Sequence, residues 1–181
     1  MGPCGVSARK PRMSTQARTN FIESVHLLEQ AGWSVKRHEK PRLLPRALHK
    51  TFDWVPTEIR NFTEAYEELA SPDEKAWLLT EAEFTGRSPS QFAWNEFERQ
   101  SLAAAGKDAA EIERVGKFWK AHFPLLQSVK SGYGYCAIAK EGLHIVAGEG
   151  PEYEDVTVVA PSFEVFLQML AKNDEALARW V

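Results

Sequence analysis

From residue 125 to residue 160 the chain is written as short apolar runs cut by turn residues, and a helix-patterned half precedes them. That order constrains the fold more than any other feature. Tyr133-Gly134-Tyr135-Cys136-Ala137-Ile138-Ala139 is apolar at nearly every position, the pattern of a central strand. Lys140-Glu141-Gly142 fits a hairpin loop with glycine at the left-handed position. Residues 143–147 and 156–160 give two more strands. Pro161 ends the run, and Ser162 is placed to cap a closing helix. In that helix Phe163, Phe166, Leu167 and Leu170 fall at i, i+3, i+4 and i+7, which gathers them on one buried face.

In the first half, Phe21, Val25 and Leu28 recur at helical spacing, with Ile22 widening the stripe. A helix is expected over about 15–31, capped by Ser14 or Thr15 and ended by Gly32. Residues 33–37 alternate as a short strand. Pro56-Thr57-Glu58 opens a second helix, with Ile59, Phe62, Tyr66 and Leu69 as its stripe and Ser71-Pro72-Asp73 as its stop. Trp77, Leu78 and Leu79 read as a short buried strand or turn. Residues 92–105 read as a helix, and Asp108 caps another whose stripe is Ile112, Val115 and Phe118 or Trp119. Helices, then a meander, then a closing helix predict one α+β domain over 14–181. Its sheet is expected to be mainly antiparallel, of about four to six strands, flanked by helices. Residues 1–13 read as a disordered basic tail, with Met13 as the natural start of the chain.

Charge narrows the partners. Residues 1–50 hold ten Lys and Arg against three Asp and Glu, while the rest holds twelve against 22, so a basic start precedes an acidic body. Such a body favours basic partners and disfavours nucleic acid. Residues 36–50, interrupted by Pro41 and Pro45, read as a solvated connector; a phosphate-binding patch is the alternative. No apolar run is long enough to cross a membrane, and no secretory h-region is present, so a cytoplasmic location is expected. Cys4 and Cys136 read as unpaired thiols, Cys136 buried and inert.

No catalytic, cofactor-binding or metal-binding residue is expected. His26, His38, His49, His122 and His144 match no metal-ligand spacing, and there is neither a nucleophile elbow nor a phosphate-binding loop. His122 is expected near a helix C-terminus, where its positive charge would be favoured. The binding features are aromatic and acidic. Trp94 and Phe97 sit in a polar segment, and Glu149, Glu152, Tyr153, Glu154 and Asp155 crowd a loop between two strands. These seven are the candidate partner-binding residues, with carboxylates to steer a basic protein and rings to grip it.

Three features resemble the SUKH superfamily, which includes fungal cell-wall assembly regulators and bacterial toxin-immunity proteins. They are Pro56-Thr57-Glu58-Ile59 with Phe62, the glycine–aromatic run from Gly132 to Ile138, and Val159-Ala160-Pro161-Ser162-Phe163 with Phe166-Leu167. They cover about residues 55–170. The resemblance implies an α+β sheet flanked by helices and a non-enzymatic role, often the neutralisation of a nuclease toxin by direct contact. A basic toxin domain is then the expected partner. A regulatory scaffold of the same superfamily, a nucleic-acid-associated module and a small hydrolase with a dispersed site are the alternatives.

Overall fold

The computed structural model describes the backbone of residues 15–181 and the side chains from Phe21 onward. The expected tail over 1–13 and the first helix cap therefore lie outside the described residues. Helix α1 (Thr15–Gln30) is followed by β1 (Ser34–Arg37), α2 (Arg46–Thr51), α3 (Thr57–Ala65), β2 (Tyr66–Ala70) and β3 (Ala76–Leu78). Then come α4 (Glu81–Phe84), α5 (Glu96–Ala105), α6 (Ala109–Lys120), β4 (His122–Ser128), β5 (Gly134–Ala139) and β6 (Ile145–Glu149). β7 (Thr157–Ala160), α7 (Phe163–Ala171) and a 3-10 turn at Glu175–Leu177 complete the order.

The seven strands form one antiparallel sheet in chain order, the α+β architecture with more strands than the four to six expected. Two of the seven, β2 and β4, are not among the strands placed from sequence, and β2 runs against the reading there. Ile59, Phe62, Tyr66 and Leu69 satisfy a helical stripe, but the helix stops at Ala65 and Tyr66 is already extended, at φ −114° and ψ 146°. Pairing with β1, which sets Val35 opposite Leu69, overrides the local helical pattern. The connector expectation is also corrected. Arg46–Thr51 coils into α2, Leu44 and His38 are buried, and the buried Glu64 accepts from the Leu44 N–H at 2.9 Å.

β5 explains the layers. Its alternate residues point to opposite faces. Cys136 and Ile138 join a core with Val25 and Leu28 of α1, Ile59 and Phe62 of α3, and Phe166 and Leu167 of α7. Tyr135, Ala137 and Ala139 join a second core with Phe97 of α5 and Val115 and Trp119 of α6. The sheet is thus covered on both faces, which is why every residue of β5 is buried and none carries a charge. Burial pushes the Cys136 thiol far above its ordinary pKa, leaving it protonated.

The closing helix forms as its spacing predicts. Ser162 Oγ accepts from the Val165 N–H at 3.3 Å, and Phe163, Phe166, Leu167 and Leu170 are all buried. Gly142 takes the left-handed backbone expected of it, at φ 73°, and Leu143 follows it there at φ 54°. Two left-handed residues in succession prolong the turn, so β6 begins at Ile145 rather than at residue 143.

Candidate functional site

The loop between β6 and β7 folds over the face of the sheet that α5 and α6 cover. Its aromatic residue turns inward. Tyr153 is 4% exposed and stacks on Phe97, with ring centroids 4.7 Å apart and planes at 21°. Its hydroxyl donates to Gln100 Oε1 at 2.8 Å, and its carbonyl accepts from the Tyr135 hydroxyl at 2.6 Å. Burial raises the pKa of both phenols, so both stay protonated donors. Three hydrogen-bonded or stacked neighbours therefore fix the loop to α5 and β5.

The expectation that rings grip a partner is accordingly revised. Phe97 and Tyr153 are interior side chains, because an aromatic body buries well wherever its polar tip finds a partner. Trp94 lies on the opposite face of the sheet, half-buried against Phe52 and Phe84, and does not meet the loop. The carboxylates also divide. Glu154 is largely buried and its Oε1 accepts from Trp119 Nε1 at 2.7 Å, while Glu149 pairs with Arg179. Glu152 and Asp155 face solvent.

Structure adds three residues that sequence reasoning missed. Ser101 of α5, Glu111 and Arg114 of α6, and Glu152, Glu154 and Asp155 of the loop line a cleft of about 430 Å³. Asp108 builds one wall by accepting from the Ala110 and Glu111 N–H groups, which starts α6 so that Glu111 and Arg114 share a side. Arg114 Nε donates to Glu111 at 2.9 Å, and its Nη2 lies 4.0 Å from Glu154. That hydrogen bond holds the Glu111 carboxyl below its ordinary range and raises Arg114. Glu111 reads in sequence only as a capping residue; its place opposite the acidic loop depends on how α6 packs across the sheet.

A second polar cluster lies inside the fold. Glu81 pairs with Arg87, and its Oε2 stands 3.9 Å from His38 Nε2, both side chains being almost fully enclosed. Neither of those atoms has a hydrogen-bond partner. Their enclosure keeps a macromolecular ligand away, and the cleft is the candidate site.

His122 departs from its expected behaviour. It is the first residue of β4, stacked on Phe118 with ring centroids 3.9 Å apart. Burial pushes its pKa down, the nearby His144 adds to the shift, and the hydrogen bond to the Phe118 carbonyl opposes it. Desolvation outweighs the helix end. The folded protein thus favours neutral imidazole, while the unfolded chain takes a proton near the ordinary value of 6.5. This contribution to stability is complete above that value and is lost as pH falls through the folded pKa. Urea midpoints measured at about pH 7.5 and about pH 5.5 are expected to differ less for His122→Gln than for the native protein. Equal differences in the two proteins would refute this.

Compared with protein families, with curated proteins and with solved structures, the chain has no significant match.

Proposed function

We propose that this chain is a non-enzymatic binding protein that captures a basic protein surface at the cleft under the loop joining β6 and β7. The reading places it with immunity proteins that neutralise a toxin by direct contact. One observation carries it: four carboxylates, Glu111, Glu152, Glu154 and Asp155, face a single guanidinium around one cleft. The Tyr135–Tyr153 and Tyr153–Gln100 hydrogen bonds hold that negative surface in place before any partner arrives. Pre-positioned charge costs little to organise on binding and speeds encounter with a positive surface. The same field repels phosphates, which counts against a nucleic-acid ligand. The SUKH resemblance supports the reading independently of charge. Its three features fall at the start of α3, on β5, and across the junction of β7 and α7.

The test is co-expression of the tagged protein with the products of the reading frames beside its gene. One of them is expected to co-purify as a stoichiometric complex. Raising salt from about 50 to about 300 mM should weaken that complex roughly tenfold or more, since exposed charges are screened over a Debye length. Joint Glu152→Lys and Asp155→Lys replacement should weaken it at least as much. Failure of every neighbour to bind, or a complex indifferent to both salt and charge reversal, would defeat the reading.

A further inference from the structure

We infer that the outer edge of β7 accepts an extended, basic segment of the partner as an eighth strand of the sheet; this rests on the binding-protein reading above. The first observation is that the sheet ends at β7 with its edge open. β7 is last in the strand order, and an edge strand turns alternate N–H and C=O groups outward. Among the described residues, the backbone of Thr157–Ala160 pairs with β6 and bonds to nothing beyond it. Main-chain groups displayed in this way are what a partner recognises when it adds a strand to a sheet.

The second observation is what separates this edge from the other one. β1, the opposite edge, is guarded by charge: Lys36 pairs with Glu68 of β2 at 2.6 Å, and the Arg37 guanidinium lies 5.2 Å from the centre of the Tyr66 ring. Charged side chains along an edge discourage further pairing. Thr157-Val158-Val159-Ala160 carries none. Val158 is 63% exposed, although it stands across from the buried Val146 on the face that α5 and α6 cover elsewhere. A strand laid along β7 would set a side chain beside Val158 and enclose it.

The third is what selects the occupant. Glu152 and Asp155, both exposed, close the turn that leads into β7, the Asp155 N–H donating to the Glu152 carbonyl at 3.1 Å. Val159 is passed over in the pairing with β6, and Pro161 follows Ala160, so regular pairing is confined to the end of β7 nearer that turn. A segment added antiparallel brings its C-terminal end to these two carboxylates, where Lys or Arg is favoured. A second copy of β7 fits less well. Residues 156–164 contain no Lys or Arg to meet Asp155. Pairing of two such short strands also buries only on the order of a few hundred Å², against about 1,200 Å² or more for a stable interface. The occupant is therefore a longer, basic segment of another protein that reaches the loop as well as the edge.

The test titrates capped peptides into the ¹⁵N-labelled full chain, with amide shifts as the readout. The parent peptide reads threonine–valine–threonine–valine–threonine–lysine–arginine. Two further versions carry N-methyl groups on one or the other set of alternate amides, and a fourth has threonine in place of both cations. The parent should move the amides of Val156, Thr157 and Val158. One N-methylated version, the one blocked on the side that faces β7, should bind about tenfold more weakly or worse, while the other binds like the parent, because only one set of alternate amides meets an edge. The uncharged version should bind several-fold more weakly. Val158→Ser should leave the melting temperature nearly unchanged, the side chain being exposed, yet weaken the parent peptide several-fold. Equal affinity for both N-methylated versions, shifts confined to other surface, or a dimer joined through β7 that shuts the peptide out would overturn the inference. A salt-dependent complex with a neighbour-encoded protein in which the β7 amides do not move would defeat the edge alone. A peptide seated on β7 while no neighbour-encoded protein binds would defeat the binding-protein reading and leave β7 a strand acceptor.

Discussion

Trp119→Ala is expected to lower the unfolding free energy by about 3–5 kcal/mol, the range for removing a large buried aromatic side chain. Trp119→Phe should cost about 1–3 kcal/mol, the penalty for leaving a buried acceptor without its donor. Two different losses separate these variants. The indole is 5% exposed, sits 4.9 Å from the Tyr135 ring and 5.4 Å from the Phe118 ring, and belongs to the core between the sheet and α5 and α6. Alanine removes that packing and leaves a cavity. Both replacements remove the Nε1 donor at 2.7 Å from Glu154, whose nearest remaining cation is Arg114 at 4.0 Å. Urea denaturation of the two variants, repeated in a Glu154→Ala background that removes the acceptor, gives a cycle that isolates the indole–carboxylate interaction. A Trp119→Phe protein as stable as the native one would show that this hydrogen bond does not anchor the loop. The same variant should also weaken basic partners, because a released Glu154 no longer holds its fixed place on the cleft wall.

Much of the fold is legible where local pattern and tertiary environment agree. Residues 163–170 repeat with a helical period behind a serine cap, and nothing else satisfies that spacing. β5 reads as central because both of its faces must be apolar when helices cover both sides of the sheet. β2 was not legible. Tyr66 and Leu69 are compatible with a helical stripe as well as with a strand, and the choice is made by β1, whose partner residues lie about 30 positions earlier. α4 escaped notice because four residues are too few for a period, although Thr80 and Glu83 cap it reciprocally. At the candidate site, the charges could be read and the rings could not. Tyr153 stands among acids and proline, which suggests exposure, but Gln100, the residue that receives its hydroxyl, is 53 positions away. A side chain's burial is decided by what arrives from elsewhere in the chain, so Ser101 and Arg114, which carry no motif, emerge only once α5 and α6 lie across the sheet.

Gly148→Ala should cost about 1–3 kcal/mol through overpacking, plus about 1 kcal/mol if the Tyr135–Tyr153 hydrogen bond breaks with it. The reason is space, since Gly148 is not among the residues held at positive φ. Gly148 lies opposite Tyr135 across the β5–β6 pair. A Cβ there would stand 2.7 Å from the Tyr153 carbonyl oxygen, 2.8 Å from Tyr135 Cε1 and 2.9 Å from the Tyr135 hydroxyl. None of these can retreat independently, because the hydroxyl and the carbonyl are already bonded to each other at 2.6 Å. The ring must swing away, which breaks the Tyr135–Tyr153 hydrogen bond, or the loop must lift, which carries Tyr153 off Phe97 and Glu154 off Trp119. Glycine at this position is therefore what lets the acidic loop lie flat on the sheet. Gly116→Ala is the matched control: it sits in α6 with nothing within 4 Å of an added Cβ, and should stabilise by about 0.5–1 kcal/mol through helix propensity. Unfolding curves for the two variants, with the amide shifts of Glu152, Glu154 and Asp155, distinguish a global loss from a displaced loop. At urea concentrations where Gly148→Ala remains folded, its loop amides should shift and its affinity for a basic partner should fall several-fold. Native loop shifts and native affinity in that folded variant would mean that the loop owes its position to something other than the Tyr135–Tyr153 contact, and the rigid-platform account of the cleft would be wrong.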